Sequence, residues 1–235
     1  MDGDAPTRPR NKLLAALPAA DYRRVRASLQ LVDVEQRTLA FAPNQPFPHV
    51  YFPEAAVFSI VARMQDGIAI EVATVGFEGM MGLPAYLGTL STPNEGFCQI
   101  SGRALRLDIA AFQREMDKSG RLRQLLDAYI QAFINQIAQS AACNQAHNVT
   151  QRCARWLLQT HDRAGRDEFP LTHEFLAQML GVRRATVSEV AAEFQSRGLI
   201  SYSRGQMTMR DRPGLESVSC ECYAVISREY QRLIG

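Results

Sequence analysis

Residues 181–190, GVRRATVSEV, put two guanidinium groups, two hydroxyls and a carboxylate on one short stretch with an apolar back. Val187, Val190, Ala191 and Phe194 recur at helical spacing and turn inward, so Arg184, Ala185, Ser188 and Glu189 share the outward face. Arg183 and Arg184 stand at the helix start, where unpaired backbone N–H groups already favour phosphate. An arginine fork can donate two parallel hydrogen bonds to phosphate or to guanine O6/N7, and Thr186 and Ser188 can add backbone contacts. Glu189 can accept from cytosine N4, or it can orient Arg183 or Arg184. This is the chemistry of polyanion recognition. Bond-breaking chemistry has no comparable support, because HExxH, GxSxG and phosphate-loop patterns are all absent, so no enzymatic activity is expected.

The flanking residues supply the elements needed to present such a helix. Thr172 stands where an N-cap belongs, Glu174 follows in the first turn, and Phe175, Leu176, Met179 and Leu180 make the buried side of a preceding helix. Gly181 permits a tight turn into a second helix over 183–196, and Gly198 is a natural stop. LISYS and QMTMR then read as two strands joined through Arg204-Gly205, with Met207 and Met209 on one face. Arg204 at that tip is expected to touch phosphate. His173, unfavourable for its helix dipole when charged, is expected to do the same. A surface helix pair that docks another protein is the alternative.

Upstream, LLAALPAADYRRVRASLQLV suggests one or two short helices, and residues 1–12 a loose tail. From about Val32 to Leu107 short β-branched and aromatic runs alternate with Pro43-Asn44, Asp66-Gly67, Gly76, Pro93-Asn94 and Gly102, the pattern of an antiparallel sandwich or roll. Asp66-Gly67 is the sharpest hairpin signal. Phe112 and Met116 fit a short helix ending near Ser119-Gly120. Residues 121–146 then form a long one of about 38 Å. Its stripe of Leu122, Leu126, Tyr129, Phe133 and Ile137 is widened by Leu125, Ile130, Ile134 and Ala141, more than one face can use, so a second subunit is expected against it. A helix after Asn148 places Val149, Cys153, Trp156 and Leu157 inward and Arg152 and Arg155 outward.

Net charge is +2, and the excess lies in the C-terminal half: residues 148–215 hold ten arginines, no lysine and seven acids, whereas residues 1–147 balance to zero. No stretch approaches the roughly 18 apolar residues of a membrane span, and the N-terminus lacks the apolar core of a secretory signal, so a cytoplasmic protein with no membrane partner is expected. Five scattered cysteines without a CxxC pair are expected as free thiols. Cys220 and Cys222, one residue apart, would point to opposite faces of a strand, which is awkward for a disulfide or shared metal ligation. His49, His147 and His161 are expected at the surface or at helix ends, and no metal ligand is expected.

Residues 171–211, LTHEFLAQMLGVRRATVSEVAAEFQSRGLISYSRGQMTMRD, resemble the winged helix-turn-helix of the cyclic-AMP-receptor and fumarate-nitrate-regulator (Crp/Fnr) class of bacterial transcription regulators. The remaining pattern is similar to the same class. The resemblance implies an α+β chain: an antiparallel β-roll (jelly-roll, cyclic-nucleotide-binding-like) over 13–120, a dimerisation helix over 121–146 and a winged helix-turn-helix over 148–235. It implies a homodimer on a two-fold symmetric site in double-stranded DNA, RNA polymerase as a further partner, the second helix as recognition helix and Arg184 as its leading base reader. Arg183 stands where the class has a capping serine, Ala185 replaces a base-reading glutamate, and Glu189 occupies a position often held by arginine. A different operator is therefore expected, and a protein-interaction module on a winged scaffold stays open.

The class holds cyclic nucleotides with a Gly-Glu pair and an arginine. Here Gly82 precedes Leu83, and residues 64–102 contain no arginine or lysine. Burying a phosphodiester without a cation is costly, so no nucleotide cofactor is expected and the effector is left unassigned. Glu78 is expected to be a surface turn carboxylate, and glycines 76, 79 and 82 could at most form an anion nest.

Overall fold

The computed structural model describes residues 8–65 and 67–235. Two short helices come first, α1 (Lys12–Ala15) and α2 (Ala19–Arg26), separated at Pro18. The expected loose tail is shorter than the sequence implied. Asn11 is fully buried, caps α1 through Leu14 N–H and donates to the carbonyls of Pro53 and Gly79 (3.2 and 2.8 Å), so the chain is tied to the core from there on.

Strands β1 (Gln30–Val34), β2 (Leu39–Phe41), β3 (His49–Pro53), β4 (Val57–Arg63) and β5 (Ala69–Val75) follow. A single-turn helix α3 (Leu83–Tyr86) and strands β6 (Glu95–Ile100) and β7 (Gly102–Asp108) complete the roll. They pair antiparallel as β1-β7-β3 and β2-β6-β4-β5. The β4–β5 connection is a hairpin; Gly67 takes the left-handed φ of +85° that a tight turn demands, and Asp66 lies outside the described residues.

The near-continuous apolar run of β4 has a physical reason. Phe58 points into the roll, whereas Val57 and Val61 on the opposite face belong to a second core with Trp156, Phe175 and Leu176. A strand buried on both faces loses its polar alternation.

Helices α4 (Ile109–Lys118), α5 (Gly120–Ala146) and α6 (Val149–Ala164) lead to strand β8 (Glu168–Pro170). Then come α7 (His173–Leu180), α8 (Arg184–Ser196), β9 (Ile200–Ser203), β10 (Gln206–Met209), α9 (Arg212–Val218) and α10 (Cys222–Ile234). Ser119 caps α5, and Asn148 with Gln151 forms a capping box on α6. The wing has a third strand that the sequence did not suggest: β8 pairs with β10 on the side opposite β9.

Helix α10 packs on the N-terminal roll: Ile226, Tyr230 and Ile234, one turn apart, join its core, with the Tyr230 ring 6.3 Å from that of Tyr129 on α5. This corrects the expected subunit interface. Leu122, Leu126 and Tyr129 are fully buried within their own protomer, enclosed by the roll and α10. Phe133 is half-buried and Ile137 is 37% exposed, so the apolar stripe still open on α5 runs through Ile130, Phe133, Ile134 and Ile137.

Candidate nucleic-acid interface

Helix α7 starts at Thr172, whose hydroxyl accepts from Phe175 N–H at 3.1 Å, and stops at Gly181 in the left-handed region (φ +64°). Val182 N–H then closes on the Ala177 carbonyl at 3.0 Å, which sets the angle at which the chain enters α8. The inward face of α8 is as expected: Val187, Val190, Ala191 and Phe194 are all buried against α6, α7 and the wing. Gly198 (φ +71°) ends it, with Leu199 N–H on the Phe194 carbonyl.

The outward face follows from that burial. Arg183, Arg184, Ala185 and Glu189 are exposed, and Thr186 and Ser188 are partly so. Arg183 is the N-cap residue and makes no side-chain capping bond, as an arginine must. The first-turn N–H groups of α8 are thus left for an anion. These are the residue types that can bind phosphate and read guanine or cytosine edges.

His173 does not point outward with them. Its ring stacks on Tyr202 of the wing (centroids 4.3 Å apart) and Nδ1 lies 2.9 Å from Ser188 Oγ. Ser188 already donates to the Arg184 carbonyl (3.1 Å), so Ser188 accepts from His173 and the imidazole proton sits on Nδ1. Burial and then the nearby Arg184 charge lower the His173 pKa, which favours the neutral ring. The expectation of an outward phosphate contact is corrected: His173 braces α8 against the wing, and it holds Ser188 in that brace.

Arg204 stands at the wing tip, exposed, with φ +50° beside Gly205 at +77°. Two positive φ values define the two-residue turn that suits a twisted hairpin, and asparagine fits its first position far better than arginine. Arg204→Asn is therefore expected to raise stability by about 0.5–1 kcal/mol in thermal unfolding. A loss of stability would show that Arg204 serves the turn rather than a ligand.

The second core joins this domain to the roll. Phe97 of β6 meets Phe175 edge-on, with Trp156 beside it. Trp156 Nε1 donates to Glu71 Oε1 at 2.7 Å, Ser59 Oγ lies 2.7 Å from Glu71 Oε2, and Gln99 reaches Thr160 at 3.1 Å. Glu71 is half-buried, and both of its carboxyl oxygens are engaged, one by Trp156 and the other by Ser59. Burial pushes its pKa up to about 7 against the hydrogen bonds from Ser59 and Trp156 and the charges of Arg155 and Arg163.

A second link is the buried pair Arg163 Nε to Glu78 Oε1 (2.6 Å), extended by Arg163 Nη2 to Gln136 Oε1 on α5 (2.9 Å). Glu78 is buried, contrary to the surface role expected of it, because its turn folds under α6. A side chain at Gly76 would lie 2.5 Å from Arg163 Cγ, and one at Gly79 would collide with the Tyr129 ring. These glycines allow close packing and line no anion nest.

Arg155 is likewise buried, donating to Gln159 (3.2 Å), and Arg152 donates to the Leu180 carbonyl, so neither lies on a solvated face. Cys220 and Cys222 are not in a strand. Cys220 precedes α10 and Cys222 opens it, and both are buried, as are the other three free thiols.

Glu71, Trp156, Glu78 and Arg163 escaped sequence reasoning because each takes its role from a partner 85 positions away.

Comparison with known proteins agrees with this architecture. Residues 151–218 match the model of the Crp-like helix-turn-helix domain. FixK2 from Bradyrhizobium japonicum is similar in structure at a TM-score of 0.68 and 15% identity, over 82% of this chain and 98% of that one. The c-di-GMP-responsive global regulator CLP from Xanthomonas campestris gives 0.65 and 16%, over 82% and 99%. A Crp-family transcriptional regulator from Thermus thermophilus gives 0.66 and 18%, over 87% and 98%. No curated protein matches by sequence. Residues 151–218 thus match a Crp-like helix-turn-helix domain, and the chain that carries them shares the fold of these solved regulators.

Proposed function

We propose that the protein is a homodimeric transcription regulator that reads a two-fold symmetric operator and needs no cyclic nucleotide to do so. The observation that carries this reading is the leading surface of α8: Arg183, Arg184 and Glu189 exposed over a fully packed back, on a domain of helix-turn-helix type. Dimerisation through α5 is supported by Ile130, Phe133, Ile134 and Ile137, whose spacing of three, one and three is that of a helix–helix seam. Two recognition helices must then sit about 34–36 Å apart to meet successive major-groove faces. RNA polymerase is the further partner in this reading.

Independence from cyclic nucleotides is supported by two features. Glu78, nearest in sequence to a ribose-binding carboxylate, is held by Arg163. The cavity between roll and α5, about 250 Å³, is lined by Phe41, Ile60, Met80, Leu83 and the open stripe of α5, with no charged side chain among its described residues. Such a lining suits an apolar small molecule and not a phosphodiester.

Selection from a random duplex pool should return a motif with two-fold symmetry. Arg184→Ala should then cost about 1–3 kcal/mol and relax one base pair per half-site. Equal weakening on all sequences would confine Arg184 to phosphate, and recovery of no motif would favour a protein-binding scaffold.

A further inference from the structure

Four potential metal ligands converge where α5 ends and α10 begins. Cys143 is on the last turns of α5, His147 is its C-cap residue, Cys220 precedes α10 and Cys222 is its first residue. Their ligand atoms all lie within 4.8 Å of one another. Cys143 Sγ and Cys220 Sγ are 3.5 Å apart, and Cys222 Sγ is 3.6 Å from His147 Nδ1. In a tetrahedral zinc site, metal–sulfur bonds of about 2.3 Å and a metal–nitrogen bond of about 2.0 Å put neighbouring ligands about 3.5–3.8 Å apart. A disulfide would instead draw the two sulfurs to about 2.05 Å.

The surroundings fit a metal as well. His147 Nε2 is 3.2 Å from Glu221 Oε2, the carboxylate partnership that fixes an imidazole with its other nitrogen free to ligate. Gln139 Nε2 donates to Cys222 Sγ at 3.0 Å, as suits a thiolate. Three thiolates and a neutral imidazole around a divalent ion leave one net negative charge, and Arg152 and Arg155 of α6 lie close enough to interact with these sulfurs.

We propose that Cys143, His147, Cys220 and Cys222 bind one zinc ion, in a closed four-ligand site that clips both ends of the DNA-binding domain to the foot of the long helix. Three thiols release their protons to solvent as the ion binds. With all four positions taken by protein, the ion has no open site for chemistry and its role is structural. Cys143 and His147 lie before residues 148–219 and Cys220 and Cys222 after them, so the ion closes that whole segment into a loop at its base. The expectation of no metal ligand rested on a strand geometry that Cys220 and Cys222 do not have. Cys143 and His147, four apart across the end of one helix, were the signal in the sequence.

The test uses the reduced full-length chain. Elemental analysis after gel filtration should find one zinc per chain. Cobalt(II) added to the metal-stripped chain should give thiolate charge-transfer bands in the near ultraviolet and strong d–d absorption in the red, saturating at one equivalent. Cys222→Ser should lose the stoichiometric zinc, whereas Cys98→Ala, in the core of the roll, should keep it. If the serine variant does not fold, the cobalt titration of the unaltered chain decides alone. Weak octahedral cobalt absorption, zinc retained by Cys222→Ser but not by Cys98→Ala, or a metal-free chain carrying a Cys143–Cys220 disulfide would each overturn the assignment.

Discussion

Replacing Glu78 with alanine is expected to lower folding stability by about 3–5 kcal/mol, the cost of leaving a buried guanidinium without its counter-charge. Burial by itself pulls the Arg163 pKa down, but the Glu78 carboxylate more than reverses this and holds it above its ordinary value. A guanidinium does not give up its proton in a protein, so Arg163 stays charged when Glu78 is removed, with Gln136 and the face of Tyr230 (5.9 Å) as inadequate compensation. The double variant Glu78→Leu/Arg163→Met should recover most of the loss, since an apolar pair of similar volume needs no desolvated charge. Urea unfolding of Glu78→Leu, Arg163→Met and the double completes the cycle. A Glu78→Ala cost under about 0.5 kcal/mol, typical of a surface change, would show that the roll and α6 are not held by this pair.

The second large effect depends on pH. Because the Glu71 carboxyl is raised to about 7 in the folded chain from an ordinary value of 4.5, the folded state binds more protons than the unfolded state between those two values. Stability therefore falls as pH rises through this window and levels off above it. The limit is about 3 kcal/mol for the full shift, at about 1.4 kcal/mol per pKa unit. Glutamine is neutral throughout and can keep the acceptor for Trp156. Glu71→Gln should thus match the parent chain near pH 4 and exceed it at pH 8 by up to about 3 kcal/mol in denaturant unfolding. Other titrating groups are common to both proteins and cancel in the difference. Since Glu71 and Trp156 join the roll to α6, alkaline conditions should loosen the contact between roll and helix-turn-helix domain first. A constant difference across pH 4–8 would contradict the burial of that carboxyl.

What could be read from the sequence was local. The Thr172 cap, the Gly181 and Gly198 stops, the inward residues of α8 and the hairpin at Arg204-Gly205 are decided within a few residues by hydrogen-bond geometry and apolar period, and the structure has them where the sequence placed them. The roll was legible from the same short-range signals, and its pairing order was not.

Tertiary structure decided everything that depends on which distant surface arrives. The stripe on α5 showed that more than one face is apolar, yet only the docking of the roll and α10 assigned Leu122, Leu126 and Tyr129 to the protomer and left Ile134 and Ile137 outside. Glu78 changed from a turn carboxylate to a buried ion, His173 from an outward residue to a brace, and Cys220 and Cys222 from diverging thiols to neighbours of Cys143 and His147. The reason is one of range: caps and periodicity act over one helical turn, whereas burial, counter-charge and ligand clustering are set by residues tens of positions apart, whose meeting only the packed chain specifies.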